Sequence, residues 1–302
     1  MTARPAWLAQ RERGSRPLIW LIVKVTLMLG RGAGRALLYP ICAYFLLFSG
    51  RARRASRDYL CRALARPPAW RNVFAHYQCF ARTILDRVLL LSGQYDQVDC
   101  EVEGIDVLRG ALAQGRGCLL YGAHFGSFDV LRVLGSAQSP VPVNVLMHED
   151  NAEKLNSVLA MLNRELPQQI IPLGRAETML RVAEALSRNE IVGLLADRVV
   201  AGDKMVRCNF LDADASFPEG PFILASVLKA PVVLFSAVYC DGRRYRICFE
   251  PFVDSQSALS ERNRDGMQSQ VQRYADWLAR RCKSAPYNWF NFYDFWAHVE
   301  QR

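Results

Sequence analysis

A chain of 302 residues with 51% apolar content holds enough material for one sizeable core, and no Pro/Gly/Ser-rich linker, internal repeat or low-complexity tract divides it. Its net charge of +9 is concentrated at one end: residues 1–57 hold eleven Lys and Arg (Arg4, Arg11, Arg13, Arg16, Lys24, Arg31, Arg35, Arg51, Arg53, Arg54, Arg57) against Glu12 alone. The excess flanks greasy segments instead of lining a folded face, which excludes nucleic acid as the favoured partner and points to an anionic membrane surface. Nine scattered cysteines, an odd number with no C-x-x-C pair, argue for reduced thiols in a cytosolic compartment and against a disulfide framework or a structural zinc site.

The first apolar runs are Leu18 to Leu29, interrupted by Lys24, and Ala36 to Phe48, separated by the glycine-rich stretch Gly30 to Arg35. Each is shorter than the roughly twenty apolar residues of a full membrane span. Read through the glycines they make one long tilted helix with Arg31 and Arg35 facing headgroups or protein, a shallow hairpin, or two interfacial helices. A pair of buried core helices is the soluble alternative. No small-x-small site follows the first run, so a cleaved signal peptide fits less well. The expectation is an attached anchor over residues 1–57, with its positive flanks inside.

Downstream, Phe74, Tyr77, Phe80, Ile84, Val88 and Leu91 recur at three- and four-residue steps and predict a helix over Ala69 to Ser92. Strands are expected at Val98 to Glu103, Gly117 to Ala123, Val141 to Met147, Gln169 to Leu173, Ile191 to Ala196, Val232 to Tyr239 and Tyr245 to Phe249. Helices are expected at Val107 to Gln114, Phe128 to Leu134, Ala152 to Leu166, Ala176 to Arg188 and Pro221 to Leu228. This alternation predicts an α/β fold with a mostly parallel central sheet flanked by helices, behind a hydrophobic, membrane-associated helical segment. Asp241-Gly242 is a hairpin turn, so the last two strands are expected to be antiparallel. The tail Pro286 to Trp296 packs seven aromatics into eleven residues, which suits the headgroup layer, the mouth of a site or a buried cap on the core.

Chemistry is expected at Tyr121-Gly-Ala-His-Phe-Gly-Ser-Phe-Asp129. A strand delivers His124, one of four histidines, onto a loop at an exposed sheet edge, and Asp129 in the first turn of a helix near Ser127 can fold back onto the ring. A carboxylate that holds one tautomer frees the other ring nitrogen to take a proton from a hydroxyl. Gly122 and Gly126 bracket the histidine and suit a backbone approached by a ligand. A loop-capping histidine and an aspartate at a helix N-terminus is the plainer reading. The Met147-His148 end and Asp197-Arg198 also leave strand ends, so they converge with His124 at one edge. His76 and His298 lack metal-like partner spacing and read as structural. There is no G-x-S-x-G, Walker loop or G-x-G-x-x-G, so serine hydrolase, NTPase and dinucleotide enzyme lack their main warrants.

His124 to Asp129 matches the H-x4-D motif of the lysophospholipid acyltransferase superfamily, and the surrounding sequence resembles its bacterial lipid A biosynthesis acyltransferase branch. Ile191 to Arg198 resembles that branch's second strand block. Phe210 to Ala225 resembles the stretch leading into a Gly-Pro-Ala-rich helix, and Phe217-Pro218-Glu219-Gly220 resembles the F-P-E-G block of glycerophosphate acyltransferases. The likeness covers roughly residues 15 to 295 in order and spacing. It departs at His148, in place of an aromatic-Arg-Pro element, and at Arg198, in place of a Gln.

The resemblance implies an acyltransferase catalytic domain over residues 58–302 that moves a fatty acyl chain to a hydroxyl of a lipid or glycolipid acceptor. The donor is an acyl thioester, on acyl carrier protein in preference to coenzyme A. The site belongs at the cytoplasmic face of a bacterial inner membrane. No cofactor or metal is required, because a thioester is already activated. His124 is the expected base and Asp129 its orienting acid. Backbone N–H groups at Gly126 and Ser127 are expected donors to the oxyanion. Asp197 belongs to the substrate site, where Arg198 either grips a phosphate or sits in a surface ion pair. Glu219 and Gly220 match the acceptor-binding block but also suit an ordinary helix start. Arg164 stands where the branch often carries a basic residue, or on a solvated helix face. A lysophospholipid acyltransferase, or a lipid hydrolase that applies the same pair to water, is the alternative.

Overall fold

The computed structural model describes residues 16–131, 141–147, 170–175, 177–199, 203–253 and 264–297. Seven strands form one sheet: β1 (Asp99–Glu103), β2 (Cys118–Gly122), β3 (Val143–Met147), β4 (Ile170–Pro172), β5 (Ile191–Leu195), β8 (Val232–Asp241) and β9 (Arg244–Val253). Their spatial order is β1-β9-β8-β2-β5-β3-β4. Neighbours are parallel except β8 and β9, which turn at Gly242 and Arg243, between the paired Asp241 and Arg244, and run antiparallel as expected. A hairpin of β6 (Met205–Asn209) and β7 (Asp214–Pro218) stands apart as a two-stranded sheet. Sequence reading missed it although Val206, Cys208, Ala215 and Phe217 alternate as buried residues, because its turn, Phe210 to Ala213, contains no glycine.

The central strands are buried on both faces, which accounts for their unbroken apolar runs. Along β2, Leu119 and Tyr121 enter one core and Cys118 and Leu120 the other. The first core is completed by α2 (Gly50–Ala63), part of α3 (Trp70–Leu91), α6 (Gly220–Leu228) and α7 (Arg264–Ser284). The second lies under α4 (Ile105–Leu112) and the far half of α3. The helix α5 (Thr178–Ser187) connects β4 to β5. The helices α2 and α7 were not anticipated. Runs such as Arg51-Ala-Arg-Arg54 read as a charged flank, yet Ala55, Ser56, Tyr59, Leu60 and Ala63 form a buried stripe at helical spacing. Position 57, where the anchor was expected to end, therefore falls inside a helix. The expected helix Phe128 to Leu134 begins as a single 3₁₀ turn, Phe128–Val130; its later residues, and the expected helix Ala152 to Leu166, lie outside the described residues.

The N-terminal segment is one run, α1 (Arg16–Phe48), broken at Gly30, which has φ +82°. Arg31 turns inward: its Nε donates to Asp86 Oδ1 at 2.8 Å, its Nη2 to Oδ2 at 2.5 Å, and its Nη1 to the carbonyl of Gln97 at 2.9 Å. Asp86, on α3, is fully buried and also accepts from Tyr245 on β9 at 2.9 Å, while Arg35 lies 3.7 Å away. A forked guanidinium with both carboxylate oxygens satisfied is a stable way to bury this pair, and losing one partner would cost about 3–5 kcal/mol. Of the orientations left open for these arginines, the one facing protein is observed. The opposite side of α1 stays apolar and open: Met28, Leu29, Leu47 and Phe48 are 64–78% exposed, with Trp20, Leu21, Tyr39 and Tyr44 close to half. Among the described residues no single helix is long and apolar enough to cross a membrane; α1 from Trp20 and α2, bent by 95°, pass that test only as a pair.

Candidate active site

Neighbouring parallel strands build the site. Gly122 at the end of β2 is level with Leu195 at the end of β5, so His124 and Asp197, each two residues further on, come off the sheet side by side. His124 Nδ1 lies 2.8 Å from Asp197 Oδ1. The His124 backbone N–H forks to both Asp197 oxygens at 3.1 Å, and the indole Nε1 of Trp289 donates to Oδ2 at 3.0 Å. The acid is 1% exposed, the imidazole 26%.

Burial of Asp197 pushes its carboxyl up, but the imidazole, the Arg198 guanidinium and the Trp289 N–H outweigh it and hold the group down to about 2. Asp197 is therefore an anion that keeps the proton on Nδ1 and leaves Nε2 as the acceptor nitrogen. Burial, reinforced by Arg198, lowers His124 below its usual value against the pull of Asp197. A neutral imidazole with a fixed tautomer and an accessible edge is what general-base chemistry requires.

The carboxylate at Nδ1 is thus Asp197, not Asp129. Asp129 sits on the 3₁₀ turn, where its Oδ2 meets Arg87 Nε of α3 at 2.8 Å. That pair ties the His124 loop to α3, one residue from the Asp86 that grips α1. The expected oxyanion donors are also corrected. Gly126 N–H donates to the carbonyl of Asn288 at 2.8 Å, and Ser127 N–H to that of Ala237 at 3.0 Å. Both groups stitch the loop to β8 and the C-terminal segment. Gly126 is glycine because of the protein's own backbone: at φ +70° a Cβ would stand 1.8 Å from the Ala237 oxygen.

Arg198 joins the cluster. Its Nη2 donates to the carbonyl of Phe290 at 3.0 Å, and its guanidinium lies over the ring of Tyr293, 5.5 Å from the centroid. Glu219 and Gly220 open α6, where the Glu219 N–H donates to Lys204 O at 2.9 Å; the Tyr121 hydroxyl donates to the next carbonyl, that of Pro221, and attaches this helix start to β2. Arg164 and His148 lie outside the described residues.

The aromatic tail resolves as a buried cap that also forms one wall of the site. Phe125 and Trp289 pair as an antiparallel bridge, Phe290 N–H donates to the His124 carbonyl at 2.7 Å, and Asn288 exchanges two hydrogen bonds with the Tyr239 backbone. Behind it, His76 is fully buried between the hydroxyl of Ser56 and the carbonyl of Trp289, each at 2.8 Å. Burial lowers it to about 4, so it is neutral and structural, as its sequence context suggested. Trp289 and Arg87 are the participants that sequence reading missed. Density of aromatics marked the first; nothing local marked the second.

A comparison with curated protein sequences found no match. The bacterial lipid A biosynthesis acyltransferase family, in contrast, matches residues 27–297, a span that takes in the α1 break, both site strands and the aromatic wall, and the chain belongs to this acyltransferase family.

Proposed function

We propose that the protein transfers a fatty acyl chain from an acyl thioester, with acyl carrier protein favoured over coenzyme A, to a hydroxyl of a glycolipid acceptor at the cytoplasmic face of a bacterial inner membrane. The observation that carries this reading is the His124–Asp197 pair: a neutral imidazole on a buried carboxylate, at the ends of adjacent parallel strands, in a chain of this family. His124 Nε2 takes the proton of the acceptor hydroxyl as its oxygen attacks the thioester carbonyl. The tetrahedral intermediate collapses by breaking the C–S bond, and the proton passes to the leaving thiolate. The nucleophile is the substrate's own, so no acyl-enzyme forms.

Asp197 orients the ring and supports the imidazolium. Arg198 supplies fixed positive charge beside it, suited to a phosphate of the acceptor or of a phosphopantetheine arm. Glu219 and Gly220 belong to the acceptor side by their F-P-E-G pattern, and Arg164 by its place in the sequence. The exposed apolar side of α1, beside the exposed Arg51, Arg54 and Arg57 of α2, suits an anionic lipid surface that concentrates the acceptor. Mass spectrometry of total lipids from cells with the wild-type chain, with His124→Ala and without the protein tests this. A species heavier by one acyl group is expected with the wild type alone. Its absence in all three, or free fatty acid in its place, would overturn the reading, the second result in favour of a hydrolase.

A further inference from the structure

The carboxylate of Asp197 is held at both oxygens. Oδ1 meets the imidazole, and Oδ2 meets the indole N–H of Trp289, a side chain 1% exposed. The indole cannot swing away. Its ring is wedged edge-on against Tyr59, Phe210 and Phe295, with centroids 4.8–5.2 Å apart. Its carbonyl is held by His76, and Ser56 on α2 holds His76 in turn. A neutral His76 that donates from Nε2 to that carbonyl and accepts from Ser56 at Nδ1 satisfies every member of the chain with a single tautomer.

We infer that Trp289 is a positioning residue for the reaction: its indole N–H fixes the orientation and tempers the charge of Asp197, which in turn fixes the tautomer and proton affinity of His124. The inference rests on the reading of His124 as the base. A hydrogen bond to a carboxylate withdraws electron density from it. Removing the donor leaves a more strongly negative Asp197, which holds the imidazolium more tightly and raises the proton affinity of His124. The other ionisable groups that act on this pair are Arg198 beside both, Tyr274 and Cys282 of α7, and Tyr293 of the C-terminal segment. Burial holds Tyr274, Cys282 and Tyr293 well above their usual values, so they stay neutral across the range in which His124 titrates.

The test is the pH titration of the histidine Cε1–H resonances in the full-length protein, labelled with ¹³C-histidine in detergent micelles, with His124 assigned by its loss in His124→Gln. In Trp289→Phe the His124 midpoint is expected to rise by roughly half to one pH unit, and the acid limb of kcat/KM for transfer from acyl carrier protein is expected to move with it. Site-specific replacement of Trp289 by benzothienylalanine, which keeps the ring shape and lacks the N–H, is expected to give the same shift and serves if the Phe variant fails to fold. An unshifted His124 midpoint overturns the role of Trp289 and leaves the base assignment standing. Undiminished acyl transfer by His124→Ala overturns the base assignment itself, whatever the titration shows.

Discussion

Two aspartates stand as candidate partners for His124, and the geometry ranks them. Asp197 is buried and accepts from the imidazole, from the His124 backbone and from Trp289; Asp129 is paired with Arg87. Replacing His124 with Ala is expected to lower acyl transfer by about 10²–10⁴-fold. Asp197→Asn should approach that loss, since an amide no longer stabilises an imidazolium or enforces the tautomer, whereas Asp129→Asn should cost distinctly less by loosening one loop contact. Steady-state kinetics of the three variants check the ranking, and a larger loss at Asp129 would restore it as the orienting acid. The pH profile follows from the same site. As the proposed base, His124 works only when neutral, and its affinity for protons is lowered by burial and Arg198, so activity should persist as pH falls through 6.5 and fail at a lower value. A kcat/KM profile whose acid limb lies above 6.5 contradicts the described environment.

At the scale of elements, the site depends on a loop bound to the sheet on one side and to the C-terminal segment on the other. Gly126 is the point of closest approach, because its missing side chain admits the Ala237 oxygen. Gly126→Ala is expected to destabilise the protein by roughly 2–4 kcal/mol through steric overlap and strain at positive φ, measured by denaturant unfolding, and to displace His124 with a matching loss of activity. On β5, Gly193 makes room for the ring of Phe128, whose atoms would stand 2.3 Å from an added Cβ; this glycine also shapes the loop that carries His124. Strands β2 and β5 were readable in one dimension as runs bounded by turn residues. Their adjacency was not, since β3 and β4 intervene along the chain.

For the whole molecule, α1 is both a structural helix and an exposed apolar ridge. Arg31 and Arg35 lock its inner side to α3 and to the β8–β9 turn: Arg35 donates to the carbonyl of Gly242. The outer side leaves Met28, Leu29, Leu47 and Phe48 to solvent, an apolar area expected to rest in the headgroup layer. Changing these four to Ser should move the protein from the membrane pellet to the supernatant on fractionation without unfolding it, because none of them contributes to the described core. Continued pelleting would show that attachment lies elsewhere. The adjacent residues Asp86 and Arg87 of α3 face this helix and the His124 loop respectively, so a single helix registers both the exposed apolar ridge and the candidate site.

Local pattern alone determined much of this protein. Apolar runs, or apolar alternation in β1, marked the strands of the central sheet, Asp241-Gly242 marked the antiparallel hairpin, and glycines around one scarce histidine marked the loop of the candidate site. These features depend on neighbours a few positions apart, which periodicity and turn chemistry register directly. Which carboxylate serves the histidine, why Gly126 must be glycine, what the aromatic tail covers and where Arg31 points were decided only by tertiary structure. Each depends on strand order or on a contact between segments tens to hundreds of residues apart, where burial and register choose among partners that one-dimensional spacing leaves equivalent.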